Sequence, residues 1–390
     1  MASQDMRLER DSMGELEVPA NAYYGGNARR AELNFPISNL RFGRSFIKAI
    51  GQIKQSAAVV NLELNTIDED IANAIIASSE RVINGEFDSS FVVDIFQTGS
   101  GTSTNMNANE VISNVAIESL GGELGSRNPV HPNDHVNKGQ SSNDVFPSTI
   151  HLASAGAIKD NLLPSLKELE DSLRAKSEEF WGVVKTGRTH LQDATPIRLG
   201  QEFLGYAGQL EFAGKRAEKA LAELSVLALG GTAVGTGIGM HPEFATRVIS
   251  RLRVLTGLDL SETTNHFQAQ STLDAAVSAS GELKSIAVGV LKIANDVRWL
   301  GSGPRAGIGE ISLPEVQPGS SIMPGKINPV IAESVAMVSA QVIGNDATIT
   351  IAGQSGNFEL NVMMPMIARN LLESIRLLAN SSTLLADRCI

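Results

Sequence analysis

The 390-residue chain carries 32 lysines and arginines against 43 aspartates and glutamates, a net charge of −11, with 42% hydrophobic and 19% charged residues. This acidic balance argues against general binding to nucleic acid or an anionic membrane surface, so a small anionic ligand needs a local cationic pocket. The single cysteine, Cys389, excludes an internal disulfide and a cysteine-ligated metal cluster, and no apolar run approaches the roughly 18 residues of a membrane span.

Length predicts two or three domains with ample chain for a large core. Met1 to Pro19 is charged and lacks the apolar centre of a signal peptide, which makes the cytoplasm the expected location. Residues 1–45 read as irregular, punctuated by Pro19, Gly25, Gly26 and Pro36. From Phe46 to Ile83 the apolar residues fall at helical spacing, with a turn at Asn65 to Asp68.

Gln97 to Glu110 (QTGSGTSTNMNANE) crowds hydroxyls and amides around a glycine-flanked turn that runs into a helical pattern over Val111 to Leu120. Such a turn offers neutral donors to an anion, or merely caps the helix. His131-Pro132-Asn133-Asp134-His135 holds two histidines four apart, but Pro132 disfavours one helical face and hence a metal pair. Gln140-Ser141-Ser142-Asn143-Asp144 follows, then a strong helical stripe from Ser148 to Leu173 with a kink expected at Pro164.

A polar interruption, Thr186 to Pro196 (TGRTHLQDATP), reads as a loop between helices. A lone histidine is more often structural than catalytic, yet loops on rigid scaffolds are where chemistry is usually mounted. Leu199 to Leu227 is helical. Gly230 to Gly239 suggests a nucleotide loop but lacks the closing Lys-Ser/Thr and a strand–turn–helix setting, so it reads as structural. Ser261 to Leu300 carries the longest core stripe: Leu283, Ile286, Ala287, Val290, Ala294 and Val297.

Gly319 to Pro329 (GSSIMPGKINP) then has the composition of a mobile loop that becomes a helix: glycines and a stiffening proline, then Asn328 as an N-cap and Pro329 at the first helical position. Two serines, a lysine and free N–H groups at a helix N-terminus suit a carboxylate or phosphate, with a solvated turn as the alternative. Helices follow over Val330 to Ile343 and through Ile367, Leu371, Ile375 and Leu378.

Together these strings resemble the fumarase/aspartase superfamily, in the superfamily's own order and over essentially the whole chain. Arg7, Glu9, Asp11, Met13, Gly14, Val18 and Pro19 resemble its opening, and Tyr24 to Arg30 departs from its Y/W-G-x-x-T-x-R by lacking the threonine. GSGTSTNMNANE, HPNDxVN with SSN, GRTHLQDATP, GGTAVGTG and GSSxMPxKxNP are all matched. Histidine at position 190 resembles class II fumarases, since aspartases carry glutamine there. His266 stands where many fumarases have lysine.

The resemblance implies an all-α fold: a long-helix bundle forming the core of a tetramer, preceded by a mixed, mostly helical N-terminal domain. It divides the chain into 1–138 and 139–390, and the family's small C-terminal domain is expected to be absent after Ile390. It implies reversible hydration of fumarate to L-malate, with an ammonia-lyase such as aspartase as the near alternative and a non-catalytic binding protein as the distant one. It implies Ser320 as base, His190 as the group serving water, Glu333 as its orienting partner and Lys326 as a stabilising cation. Substrate binding falls to Ser100, Gly101, Thr102, Ser141, Ser142, Asn143, Thr189, Ser321, Lys326 and Asn328. His131, Pro132, Asn133 and Asp134 correspond to a secondary anion site, although the arginine expected three residues earlier is Asn128, with Arg127 one place before it. No metal or other cofactor is implied; the other fumarase class uses an iron–sulfur cluster, which one cysteine cannot ligate in the usual way. The implied partners are a small dicarboxylate and three further copies of the chain, each active site drawing on three subunits.

Overall fold

The computed structural model describes residues 5–390 apart from Ser12; Met1 to Gln4, part of the charged N-terminal stretch, lie outside the described residues. Strands β1 (Met6–Asp11) and β2 (Gly14–Pro19) pair antiparallel from Met6↔Pro19 to Asp11↔Gly14, where the sequence reads as irregular. The reason is an inverted pattern: the hairpin buries Glu9 and Val18 and leaves Leu8 62% exposed, so hydrophobic alternation gives no signal.

Helix α1 (Gly26–Asn34) begins on two buried carboxylates. Glu110 accepts the N–H groups of Gly25, Asn27 and Ala28 at 2.8–3.0 Å, and Glu9 accepts that of Gly26 at 2.8 Å. Four otherwise orphaned donors are thereby satisfied without a capping side chain at Gly25. Arg7 bonds Glu9 at 2.7 Å and the carbonyls of Pro19, Ala20, Ala22 and Tyr24, which explains the dense polar opening of the chain.

Helices α2 (Arg44–Glu63) and α3 (Glu69–Ile83) flank the expected turn, and α4 (Thr102–Ser119) starts nine residues ahead of the pattern that announces it. The stripe from Ser148 resolves into α5 (Ser142–Ala157) and α6 (Leu163–Glu179), separated by a wide i→i+5 turn over Ile158–Leu162. Pro164, which has no N–H to give, sits just beyond it, so the irregularity precedes the proline rather than falling on it.

The stretch read as an inter-helix loop is a hairpin of β3 (Val184–Thr189) and β4 (Gln192–Arg198), with a register shift between Thr186 and Arg188. Then come α7 (Leu199–Leu224), β5 (Val226–Leu227), α8 (Phe244–Thr256), β6 (Ser261–Glu262, parallel to β5), α9 (His266–Ser271) and α10 (Asp274–Leu300). The chain finishes with α11 (Val330–Gly353), the β7–β8 hairpin (Gly356–Asn357, Leu360–Asn361) and α12 (Met364–Arg388). Among the described residues this is a predominantly helical protein with four two-stranded sheets.

Two compact units share the chain: Met1–Gly156, Ala222–Val277 and Thr348–Leu372 form one, and Ala157–Leu221, Ser278–Ala347 and Glu373–Ile390 the other. Each is assembled from three separated stretches of the chain. The first unit buries Phe46, Ile50, Ile75, Ile112 and Phe146, with the Phe42 and Phe46 rings stacked at 4.0 Å and Phe146 5.1 Å from Phe46. The second buries the predicted α10 stripe in full. In it α10 is tied to α11 through Asp346, which accepts from Ser280 at 2.8 Å and Lys284 at 2.6 Å, and α11 to α12 through Asn345 and Ser374 at 3.1 Å.

Helix α11 is the most apolar of the long helices by one measure. Its 24 residues are long and apolar enough to cross a membrane by length and composition, although no single run in it is unbroken. Only 39% of its most apolar window is buried, and Met337 and Ile351 lie exposed on it.

Candidate active site

Gly319 to Asn328 form a closed loop ahead of α11. The Gly319 N–H donates to Lys326 O at 2.9 Å, and Asn328 Nδ2 donates back to Gly319 O at 2.8 Å. A Cβ on Gly319 would stand 2.5 Å from Lys326 O, so glycine is required here. Asn328 was expected to cap the helix; its side chain instead turns back to clasp the loop, and α11 begins at Val330.

Inside this loop Ser320 Oγ accepts the N–H groups of Ile322 at 3.2 Å and Met323 at 3.1 Å. Two backbone donors on one hydroxyl oxygen favour negative charge on that oxygen. Ser321, Lys326 and Glu333 are exposed, and the side chains of Lys326 and Glu333 make no hydrogen bond or ion pair among the described residues.

In the first unit two separate strings converge. Ser100 Oγ lies 2.7 Å from Thr102 Oγ1, which lies 2.7 Å from Ser142 Oγ, giving a chain of three hydroxyls. Gly101 turns the chain at φ +73°; a Cβ there would strike the Phe146 ring at 2.2 Å. Ser141 Oγ accepts the Asn143 N–H at 3.2 Å, and Asn143 Nδ2 donates to Ala233 O at 2.8 Å. The structure thus brings together Ser100, Gly101, Thr102, Ser141, Ser142 and Asn143.

His190 sits with Leu191 at the tip of the β3–β4 hairpin, at φ +57° and +59°, between the paired residues Thr189 and Gln192. Positive φ at both central residues defines a type I′ turn, a conformation that favours asparagine and glycine. A histidine held there is a strained placement of the kind that collects at functional sites. Its imidazole is exposed and, with Arg188, Tyr206, Asp296, Trp299 and Ile308, lines a cleft of about 330 Å³ in the second unit. No hydrogen bond among the described residues joins His190 to Glu333 or Ser320.

A lyase family profile matches residues 14–344. The class II fumarate hydratase 2 of Pseudomonas aeruginosa is 54% identical over 386 residues, covering 99% of this chain and 83% of its own length. The human mitochondrial fumarate hydratase is 50% identical over 393 residues, covering 100% of this chain and 77% of its own length. The crystal structure of a class II fumarase from Schistosoma mansoni superposes with a TM-score of 0.97 at 40% identity, over 99% of this chain and 84% of that one. The chain belongs to the class II fumarase family of lyases.

Within this fumarase fold the HPND turn is less open than its sequence suggests. His131 Nδ1 accepts the N–H groups of Asn133 at 3.2 Å and Asp134 at 3.1 Å, and His135 Nδ1 accepts that of His131 at 2.9 Å. Donors that an anion would use are occupied by the turn's own imidazoles. Burial, and next the neighbouring His131, hold His135 below its ordinary range. His266 is tied 3.2 Å from Leu229 O and 3.3 Å from Glu262, beside the glycine loop it helps to close.

Sequence reasoning missed the ionic clamp at the base of the His190 hairpin. Glu310 pairs with both Lys185 and Arg188, and Lys185 also reaches Glu202 at 2.8 Å. Burial raises the Glu310 carboxyl, but the bonds from Arg188 and Lys185 outweigh it and hold the group below its ordinary range. Tyr206 donates to Asp296 at 3.0 Å, and burial, followed by Asp296, keeps the phenol protonated well above its usual range. The only available signal was charge: Lys185 and Arg188 three apart in a string otherwise short of it.

Proposed function

We infer that the protein is a fumarate hydratase, adding water reversibly and anti across the double bond of fumarate to give L-malate. The observation that carries this reading is Ser320 Oγ receiving two N–H donors within a glycine-clasped loop, in a family whose relatives at about half identity are fumarate hydratases.

In dehydration the difficult step is removal of the C3 proton, because the electron pair left behind spreads into a carboxylate that is already anionic. Ser320, as alkoxide, takes that proton; the Ile322 and Met323 N–H groups lower the cost of the alkoxide, and Lys326 adds positive charge. His190 gives a proton to the departing hydroxide on the opposite face while the electron pair forms the double bond, and Glu333 orients the imidazole. Ser100, Gly101, Thr102, Ser141, Ser142, Asn143, Thr189, Ser321, Lys326 and Asn328 hold the two carboxylates, neutral donors and one cation set for the charge that develops. His131, Pro132, Asn133 and Asp134 form a secondary anion site with reduced capacity, for the reason given by their internal bonds.

The functional assembly is a homotetramer whose active sites are shared between three subunits. Two features support it: His190, Lys326 and Glu333 are solvent-exposed in the single chain, and Phe212, Val288, Met337 and Ile351 present apolar surface on the long helices. The same reading keeps 1–138 as an N-terminal domain, 139–390 as the helix-bundle domain, and the cytoplasm as the compartment.

The test is direct. L-Malate and L-aspartate are supplied separately to the purified chain and ultraviolet absorbance of the conjugated product is followed. A rise with malate alone is expected. A rise with aspartate alone establishes an ammonia-lyase instead, and silence with both in an assembled tetramer removes the catalytic reading.

A further inference from the structure

The turn that carries Ser141, Ser142 and Asn143 is held from beneath by a lysine with no access to solvent. Lys54 on α2 is 0% exposed, and its Nζ donates to Asn137 Oδ1 at 2.8 Å and Gln140 Oε1 at 2.9 Å. Asn137 passes the restraint on: its Nδ2 donates to Gln140 O at 3.1 Å, the carbonyl immediately before Ser141. Gln140 Nε2 bonds Val136 O and Lys138 O at 3.1 and 3.2 Å, wrapping residues 136–140 around the ammonium. Asn61, two helical turns along the same face of α2, donates to Lys138 O at 3.0 Å.

From the other side the turn is held by Asp144, also 0% exposed. One carboxylate oxygen accepts the Ser141 N–H at 3.0 Å; the other accepts Gly230 N–H at 3.1 Å and Thr232 N–H at 2.9 Å. An acid three residues after an N-cap serine is an ordinary helix-capping device. Its second oxygen does something further, because it fixes the 230–233 loop whose Ala233 carbonyl receives Asn143 Nδ2 at 2.8 Å.

We propose that Lys54 and Asp144 are positioning residues of the reaction, two buried groups that brace the turn from opposite sides and fix the orientation of Ser141, Ser142 and Asn143 toward substrate. This rests on the fumarate hydratase reading. Burying a lysine and a carboxylate is a poor device for stability alone, since desolvation penalises each and apolar residues of similar volume generally serve as well or better. Its use here is directional. Lys54, Asn105 and Asn109 all donate to Asn137 Oδ1, at 2.8, 3.2 and 3.3 Å, and three donors on one oxygen leave the Asn137 amide a single orientation. Burial brings Lys54 down to about 7, opposed by Asp144. Burial raises Asp144, opposed by the three N–H bonds and Lys54.

The experiment compares the tetrameric wild type with Lys54→Met and Asp144→Asn, reading KM and kcat for L-malate together with substrate-free amide hydrogen exchange. The expected result is a KM raised about tenfold or more with kcat changed less than threefold. Exchange at residues 137–143 and 230–233 should accelerate at least tenfold while α12 is unchanged. If Lys54→Met does not assemble, Asp144→Asn carries the same comparison. Wild-type exchange in both loops, a KM left unchanged in folded variants, or acceleration spread evenly over the chain overturns the proposal. An inactive wild type refutes the fumarate hydratase reading instead, and the exchange comparison still decides whether the pair holds the turn.

Discussion

Asn328 Nδ2 lies 2.8 Å from the carbonyl oxygen of Gly319, nine residues before it, closing the loop that presents Ser320. Gly319 has no room for a side chain, because a Cβ would meet Lys326 O at 2.5 Å and Asn328 N at 2.9 Å. Gly319→Ala therefore opens the clasp and displaces both Ser320 and Lys326. Turnover should fall by roughly 100-fold, the scale associated with misplacing catalytic groups by about an ångström. None of residues 319–328 is itself buried, so the melting temperature should move by no more than about 2 °C. Kinetics and calorimetry on one preparation check both halves; near-wild-type turnover means the clasp is dispensable.

His190 lets chemistry be separated from folding. Its φ of +57° is one that asparagine tolerates better than histidine, so His190→Asn should leave stability unchanged or slightly raised. Loss of a proton-transfer group should nevertheless lower kcat by about 10²- to 10⁴-fold. Thermal melts beside malate turnover measure this, and an active variant removes His190 from the mechanism.

The helices were legible because their apolar stripes are the ones buried: Leu283 through Val297 on α10 and Ile367 through Leu378 on α12 are all inaccessible. The hairpins were not. In β1 the inward residue is Glu9 and the outward one Leu8, and in β3 the only buried residue is Gly187, so neither strand alternates as a half-buried strand should. The site motifs were visible as strings. Their geometry was not: asparagine before proline looked like a helix cap, and only the folded loop shows Asn328 bonding backward to Gly319. Glu310 was invisible because its value lies in a meeting with Lys185 and Arg188, more than 120 residues away.

That meeting gives the next prediction. Glu310 joins the segment after α10 to the β3 strand, two residues from the His190 turn, through Arg188. Glu310→Gln keeps the shape but not the charge, depriving Arg188 of its carboxylate and leaving Lys185 with Glu202 alone. The hairpin should lose its fixed setting, with kcat/KM for L-malate falling about tenfold while the far-ultraviolet circular dichroism is retained. The depressed carboxyl contributes stability above its unfolded pKa, and that contribution disappears as pH falls through the lowered value. The variant should therefore lose less stability than the wild type on acidification below about pH 4.5. Equal acid sensitivity counts against the clamp.

The apolar faces of α7, α10 and α11 make assembly testable. Phe212, Val288, Met337 and Ile351 are more than half exposed in the single chain, a large apolar display for a free protein. Sedimentation should show a particle of four times 41.4 kDa. Met337→Lys with Ile351→Lys should lower the oligomeric state and abolish turnover together. A fully active monomer contradicts both the tetramer and the sharing of sites.

The buried lysine makes the last prediction one of pH. Lys54 is held at about 7 by burial, whereas in the unfolded chain a lysine titrates near 10.4. Between these values the unfolded state carries a proton that the folded state lacks, so unfolding free energy rises with pH, by up to about 1.4 kcal/mol per unit from this group. Below pH 7 both states are protonated and the burial cost is present in full; it is relieved as pH climbs through 7 toward 10. Asp144, the charged group facing Lys54, has the opposite sign, since its raised carboxyl destabilises the fold as pH rises through that value. Denaturant unfolding at one fixed protein concentration, at pH 7 and pH 9, should show the wild type gaining about 2 kcal/mol more than Lys54→Met over this interval. Equal gains would mean that Lys54 stays protonated throughout, with its charge fully matched by Asp144.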